Sequence, residues 1–448
     1  LNYVHPDRKF TFVKIDDYNS KDGGPGKSLY QCKEFLQCPF IFTSVDTILP
    51  SITSHTAPRF NWIGVNAASP VDYHVLLYGV LVRKVVPPIF IGIAGVNDYE
   101  KFFNDLEGKK EVTDALNNFE PLPFNWIDTG SDATYSLINS SKIVPSKPNE
   151  ILFMDNGKVV KFFTDADKTS RLFSRSHLFL PETELLNSRM IARPFIDGVT
   201  LTNLPYSLDT LNQLQSLVED CTSLEFIHHD CDLELFLQAC NHMYFEKTHS
   251  RIQDFLKKYP EIDSIQTVNG MPVKPISFYL DNLPWEVIAN SGLPIRNFHG
   301  DIQPENIIFN PKDGSFKFID HRDSFGGLPY GDLYYDLAKL WHGCIVSNRE
   351  VLRENYSVSI DLECSSAEVS INTIPHLLKI LELLEKDVKK NSLDWRKVEV
   401  LGALQYISIA CLYEEKYSSF LFLLGKLSLE LLSLNGTQSI IKSLQKGI

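Results

Sequence analysis

The chain has 448 residues, 44% of them hydrophobic and 22% charged, the make-up of a globular protein long enough for two or three cores. Lys and Arg number 43 against 56 Asp and Glu, a formal charge of −13, which excludes a surface built to neutralise nucleic-acid phosphates or to lie on an anionic membrane. Eight cysteines without a C-x-x-C pair are too sparse for a disulfide framework and point to a reducing, cytoplasmic compartment, and no apolar stretch approaches the roughly 20 residues of a bilayer span.

In chain order, short apolar runs of strand type dominate the first third: Phe10–Ile15, Pro39–Thr43, Phe60–Val65, Val75–Val85 and Pro88–Ala94. Helical patterns at Ser28–Leu36 and Asp98–Leu106 alternate with them, and together they predict an α/β domain over residues 1–140. Residues 139–150 are rich in Ser, Lys, Pro and Asn, the composition of a linker. Strands Ile151–Phe153 and Lys158–Phe163, joined by Asp155-Asn156-Gly157, predict a hairpin in a small β lobe over 150–200. From 201 to 448 the periodicity turns helical, at Leu208–His228, Leu233–Tyr259, Ile374–Asn391 and Lys397–Leu432, with a strand-rich island at Arg296–Asp320.

The densest chemistry lies in that island. His299-Gly300-Asp301 is followed five residues later by Asn306 and then by an apolar strand; a second strand, Phe316–Ile319, ends in Asp320. A hairpin so built delivers Asp301, Asn306 and Asp320 to one end of a small sheet. Phosphoryl transfer needs such a set: a carboxylate to take the proton of an attacking hydroxyl, and hard oxygen ligands for magnesium against the nucleotide phosphates. His321-Arg322-Asp323 spells the catalytic triplet of protein kinases, but Leu328 stands where the required Asn belongs, so that reading fails while the same count from Asp301 succeeds.

These residues resemble the catalytic core of the aminoglycoside phosphotransferase and choline kinase superfamily. The resemblance implies a bilobal, protein-kinase-like fold over residues 150–448, with Asp301 as catalytic base, His299 as a brace for its loop, Asn306 and Asp320 as magnesium ligands and Asp336 as a structural acid. It also implies a strand lysine for the ATP phosphates. Lys158 and Lys161 fall on opposite faces of their strand, and Lys161, farther from the turn, is the choice, with Glu182 or Glu184 as its partner acid. Residues 191–201 are similar to the hinge that holds adenine. For the acceptor, the segment Phe245–Ile252, the acids of Asp230–Glu234, and a choline-type aromatic cage from Trp285, Tyr334, Tyr335 and Trp341 are all available.

The first domain carries Asp22-Gly23-Gly24-Pro25-Gly26-Lys27-Ser28, but Lys21 occupies the position where a Walker A loop needs Gly. With the strand ending in Asp46, the segment Val86–Asp98 and Asn125–Gly130, it resembles a Rossmann-like sugar-phosphate nucleotidyltransferase. The resemblance implies Asp46 and Asp128 as metal carboxylates, Gly24 to Ser28, with Lys27, against the base or sugar, and Lys84 on the substrate phosphate. The family's opening strand and basic glycine-rich loop would precede Leu1, so the reading expects either a longer chain or a degenerate scaffold.

The combined expectation is a bifunctional enzyme using ATP, Mg2+ and a second nucleoside triphosphate, CTP or UTP. It would phosphorylate a small alcohol (choline, ethanolamine, a sugar or a polyol) and convert the phosphomonoester into a nucleotide-activated precursor for glycan or lipid decoration. Two alternatives stand beside it: a small-molecule kinase whose first domain is not catalytic, and a nucleotide-binding pseudokinase sensor.

Overall fold

The computed structural model describes residues 8–15, 23–49, 57–66, 73–77, 80–84, 89–129, 150–155, 157–178, 182–205, 211–434 and 437–445. The chain divides into two compact units, Leu1–Ser146 and Lys147–Ile448. Among the described residues no helix is long and apolar enough to cross a membrane.

The first unit contains helices α1 (Pro25–Tyr30) and α2 (Tyr99–Leu106) and strands β1 (Phe40–Thr43), β2 (Thr47–Ile48), β3 (Trp62–Asn66), β4 (Tyr73–Leu77), β5 (Val80–Lys84), β6 (Ile89–Val96), β7 (Glu120–Pro123) and β8 (Ile127–Asp128). The run expected as one strand over 75–85 is a hairpin, β4 against β5. Residues 10–15, expected as a strand, carry no regular structure. The main sheet runs β5–β4–β6–β3–β7, with β1 also on β6. Only the β3–β7 pairing is parallel; β1–β6, β3–β6, β4–β5 and β4–β6 are antiparallel. This departs from the parallel sheet that a Rossmann-like domain builds from successive β-α-β crossovers. The reason is local, because β4, β5 and β6 follow one another through connections too short for a crossover helix. One face of the sheet is closed by α2, whose Phe102, Phe103 and Leu106 pack with Phe40, Ile63 and Phe90. Asp98 caps this helix, its side chain accepting from the Lys101 backbone N–H at 3.2 Å.

The second unit opens with the hairpin β9 (Glu150–Asp155) and β10 (Lys158–Phe163), followed by α3 (Ala166–Arg175), β11 (Glu184–Asn187) and β12 (Met190–Pro194). The four strands form an antiparallel sheet in the order β11–β12–β10–β9. Gly157, at φ 75°, supplies the left-handed turn residue of the hairpin. Asp165 caps α3, and Leu172 fastens that helix to Phe163 and Ile191 of the sheet.

After Pro194 the chain enters a mostly helical lobe. Strand β13 (Val199–Thr200) joins the hairpin β14 (Ile307–Asn310) and β15 (Ser315–Phe318) in a three-stranded sheet. Around it stand α4 (Leu211–Cys221), α5 (Leu233–Asn241), α6 (Lys247–Lys258), α7 (Leu333–Ile345), α8 (Pro375–Lys390), α9 (Trp395–Ala410) and α10 (Glu415–Leu434). Every residue of α7 is buried, and α9 is buried almost all round, as a helix apolar on every side must be. The single pattern expected over 397–432 is therefore two helices, α9 and α10, broken at residues 411–414. The sequence reading also has no counterpart for the hairpin of Tyr356–Asp361 with Ser366–Ile371, whose alternating polar and apolar residues are legible once the pairing is known.

Candidate active site

The second unit holds a cavity of about 530 Å3 with β10, β12 and α3 on one side and the loops around Asp301 and Asp320 on the other. The hairpin β14–β15 brings those loops together. Its ladder closes at Ile307 opposite Phe318, and the Ile319 N–H donates to the Asn306 carbonyl at 2.9 Å, so the residues before β14 and after β15 leave from one end.

Asp301 lies on the cavity wall. Its carboxylate accepts from the Gln303 side chain at 2.9 Å and from Asn306 Nδ2 at 3.3 Å, and Lys339 Nζ approaches it to 3.3 Å. Burial alone would raise this acid; the charges of Lys339 and Arg322, with the Gln303 hydrogen bond, overcome that and hold it well below the usual carboxylate range. His299 is fully buried just before it. Its Nε2 faces the Ile319 carbonyl at 2.9 Å and its Nδ1 accepts from the Asp301 N–H at 3.2 Å, the pattern of a neutral Nε2–H imidazole. Burial pulls its pKa down to about 4. Asp336, at the start of α7, accepts from the backbone N–H groups of both His299 and Gly300, at 2.7 and 2.6 Å.

Asn306 sits beside Asp301 rather than on the cavity wall. Its Nδ2 also donates to the Asp301 carbonyl at 2.9 Å, which leaves its side-chain oxygen as the atom a metal could take. Asp320 is on the wall, with the left-handed φ of 62° that Asp tolerates better than bulkier residues. Its carboxylate pairs with Lys161 from β10. Lys161 is buried and has a second acid, Glu150 of β9, at 3.5 Å; Glu150 also approaches Lys168 of α3 to 3.6 Å.

The partner acid of Lys161 is thus Glu150, together with Asp320, and neither Glu182 nor Glu184. Glu184 pairs instead with Lys158 at 2.7 Å, on the exposed face of the sheet, because strand alternation puts residues 158 and 161 on opposite faces. The acid lies upstream of the lysine, on the partner strand of its own hairpin, and not downstream. The hinge-like segment leaves β12 with the Phe195 N–H already donating to the Gly157 carbonyl at 2.8 Å.

Of the residues named for an acceptor, Lys247 lines the cavity and the acids 230–234 do not. The aromatic cage is absent from it. Trp341 packs on Tyr406 with its indole N–H on Thr437, the Tyr334 hydroxyl accepts from the Asp394 N–H, and the Trp285 N–H donates to the Leu280 carbonyl. These rings fill or edge the helical core, since α7 turns every face toward protein. Sequence reasoning passed over Arg193, the inward-facing residue of β12, 6% exposed, on the wall near Asp320 and Glu150. Its buried Nε has no hydrogen-bond partner. A charged side chain closing the apolar run Met190-Ile191-Ala192 was the available signal.

Lys161 and Arg193 against Asp320, with the amide oxygen of the neighbouring Asn306, are a set whose chemistry suits a nucleotide's phosphates with magnesium, which takes few protein ligands, all of them hard oxygens. Among the described residues no group of three or more His, Cys, Asp or Glu side chains is placed to hold a metal ion.

In the first unit the structure brings the backbones of Asp46 and Asp128 together. Strand β2 pairs with β8, Thr47 opposite Asp128, and Thr129 donates to the Asp46 carbonyl through both its N–H and its hydroxyl at 2.9 Å. A cavity of about 820 Å3 lies here, lined by Asp46 and Ser28 among apolar groups such as Val13, Leu29, Phe42 and Val112. Gly24 and Lys27 do not line it. A Cβ on Gly24 would lie 2.5 Å from the Lys110 carbonyl oxygen, so that glycine answers a close backbone approach, and Lys27 is exposed. Lys84 ends β5, its side chain outside the described residues.

No family model and no curated protein sequence matches this chain. Among solved structures, the chain is similar to an ADP-bound aminoglycoside phosphotransferase at 14% identity, over 70% of this chain and 96% of that one, with a TM-score of 0.35. It is similar to an aminoglycoside phosphotransferase in a ternary complex with streptomycin and ATP at 15% identity, over 70% and 98%, with a TM-score of 0.32. Ethanolamine kinase from Plasmodium vivax is a third, at 11% identity, over 70% and 91%, with a TM-score of 0.33.

Proposed function

We propose that residues 147–448 transfer the γ-phosphoryl group of ATP to the hydroxyl of a small molecule. The observation that carries this reading is the meeting of Asp301, Asp320 and the buried Lys161 around one cavity, with Asn306 tied to Asp301. Asp301 is kept ionised and can accept the proton of the attacking hydroxyl as the new O–P bond forms, while the bond from the γ-phosphorus to ADP breaks and ADP leaves with its electron pair. Lys161 and Arg193 lie where phosphate oxygens would be met, and Asp320 and Asn306 would hold magnesium, which supplies charge neutralisation on those oxygens when bound. The neutral His299 and the Asp336 carboxylate fix the backbone that presents Asp301. The test is ADP release from ATP and Mg2+ over a panel of small alcohols, with Asp301→Asn as control. Acceptor-dependent release that this variant loses supports the reading, and no release with any acceptor sends us to the nucleotide-binding sensor.

A second activity, nucleotidyl transfer by residues 1–146 with CTP or UTP, rests on the neighbouring backbones of Asp46 and Asp128 beside a cavity. The apolar lining and the largely antiparallel sheet favour instead a first unit that is not catalytic. Pyrophosphate release on adding CTP or UTP to the phosphorylated product, abolished by Asp46→Asn, would restore the bifunctional reading.

A further inference from the structure

Resting on the kinase reading, we propose that the acceptor alcohol carries an anionic group, a phosphomonoester or a carboxylate, which Lys247 and Arg322 receive beside Asp301. The helix that ends α5 and begins α6 passes through one wider π turn, His242–Glu246. His242 and Met243 of that turn and Lys247 just after it lie on the same cavity wall. Lys247 is half-buried there. Beyond the ring of Tyr335, 5.9 Å away, it has no hydrogen bond or ion pair among the described residues. Arg322, the middle residue of the triplet that failed as a protein-kinase motif, faces the same ring from 5.7 Å. Its backbone is pinned, its N–H donating to the His299 carbonyl at 2.7 Å and its carbonyl accepting from Arg175.

Neither side chain forms an ion pair among the described residues, although Arg322 lies in the field of Asp301, Asp323 and Asp336. Asp323 pairs with Arg171 at 2.7 Å, and Asp301 with Lys339 at 3.3 Å. Burial, with Arg322, Arg251 and Lys339 nearby, pulls the Lys247 ammonium down to about 8, so the site gains from an incoming anion. A quaternary ammonium or an aminoglycoside would meet like charges and no open aromatic face, since the two cations stand over the Tyr335 ring.

The experiment uses the full chain with two readouts. Sorbitol, sorbitol 6-phosphate, gluconate and choline are titrated calorimetrically onto Asp301→Asn protein holding a nonhydrolysable ATP analogue and Mg2+, and ADP release is followed for the same four with the wild type. We expect sorbitol 6-phosphate or gluconate to bind at least about tenfold more tightly than sorbitol, and the two probes tell phosphate from carboxylate. Lys247→Met should weaken that binding about 10- to 100-fold and raise KM for the acceptor with KM for ATP unchanged, whereas Lys247→Arg should keep it. Circular dichroism and melting establish that each variant is folded, and Arg322→Lys gives an independent second position. Failure of both anionic probes to bind, or a preference for choline, overturns the inference. A rise in KM for ATP that is equal with every acceptor also overturns it, by assigning both cations to the nucleotide. Because binding is read without turnover, an inactive enzyme that still binds the anionic alcohols through Lys247 overturns the kinase reading, and with it the acceptor role, while binding lost with activity intact overturns the anion site alone.

Discussion

Lys161 on β10 and Asp320 after β15 are 159 positions apart in the chain and meet as an ion pair, with Glu150 closing on the same ammonium from 3.5 Å. One cation thus holds two acids that would otherwise repel each other inside a half-closed cavity. Lys161→Met should therefore fail twice. Leaving Glu150 to Lys168 and both acids to the nearby Arg193 should cost about 1–3 kcal/mol of stability, read as a drop in melting temperature, and nucleotide binding should weaken by at least tenfold. A variant as stable as the wild type would show that the pair contributes nothing to the fold.

Asp301→Asn keeps the shape of the side chain and removes the proposed proton acceptor. The expected result is a fall in kcat of about 10²- to 10⁴-fold with the KM for ATP little changed. Single-turnover measurement with saturating ATP separates this from a binding defect, and retention of kcat would take the base role from this residue.

Asp336 accepts two backbone N–H groups, from His299 and Gly300. In Asp336→Asn one of those donors must face an amide N–H2. We expect a loss of about 1–3 kcal/mol and a lower kcat, because the loop that presents Asp301 loses one of its two tethers. Chemical unfolding and steady-state kinetics on the same preparation check both effects.

Stability should depend on pH through buried histidines. Burial lowers His299 and His342 from 6.5 to about 4, so both stay neutral in the folded chain and take up protons on unfolding below pH 6.5. The stability they lend is complete above about pH 6.5 and is lost as pH falls toward 4, on the order of 3 kcal/mol for each when fully titrated. Asp336, which burial raises to about 7, runs the other way: its contribution is complete below about pH 3.8 and is lost as pH rises through 7. Urea midpoints between pH 4.5 and 7.5 should show a shallower acid limb in His342→Asn than in the wild type; identical limbs would remove burial of this ring as the cause.

Gly402 of α9 lies against Trp341 of α7, where a Cβ would come within 2.2 Å of the indole. Gly402→Ala raises helix propensity yet should destabilise by about 1–3 kcal/mol, since neither the fully buried Trp341 nor the helix pair has room to give. A melting temperature above the wild type would mean that the two helices can separate freely.

Much of the helical lobe and of the Asp301 loop was legible because their signals are local. Asp301 and Asn306 are five positions apart, a strand follows, and Asp320 ends the next strand, so one hairpin suffices to gather them. Glu150 was missed because it precedes Lys161 in the hairpin, and Arg193 because a lone arginine in an apolar strand reads as a surface residue until the sheet's inner face is known. The aromatic cage failed for the opposite reason: Tyr334 and Trp341 have the right chemistry, but α7 is enclosed on every side and spends them on packing. In the first unit the strands were largely visible, but their antiparallel order was not, because apolar runs specify that a strand exists without specifying its neighbour.

The sequence by itself determined that Asn306 and Asp320 flank one hairpin, because spacing along a strand is fixed by the backbone. The tertiary structure decided which charges remain unspent. Lys161 is matched by Glu150 and Asp320, Asp301 is shared by Lys339 and Arg322, and Lys247 reaches the cavity without an ion pair among the described residues, a balance set by burial and by contacts between elements far apart in the chain.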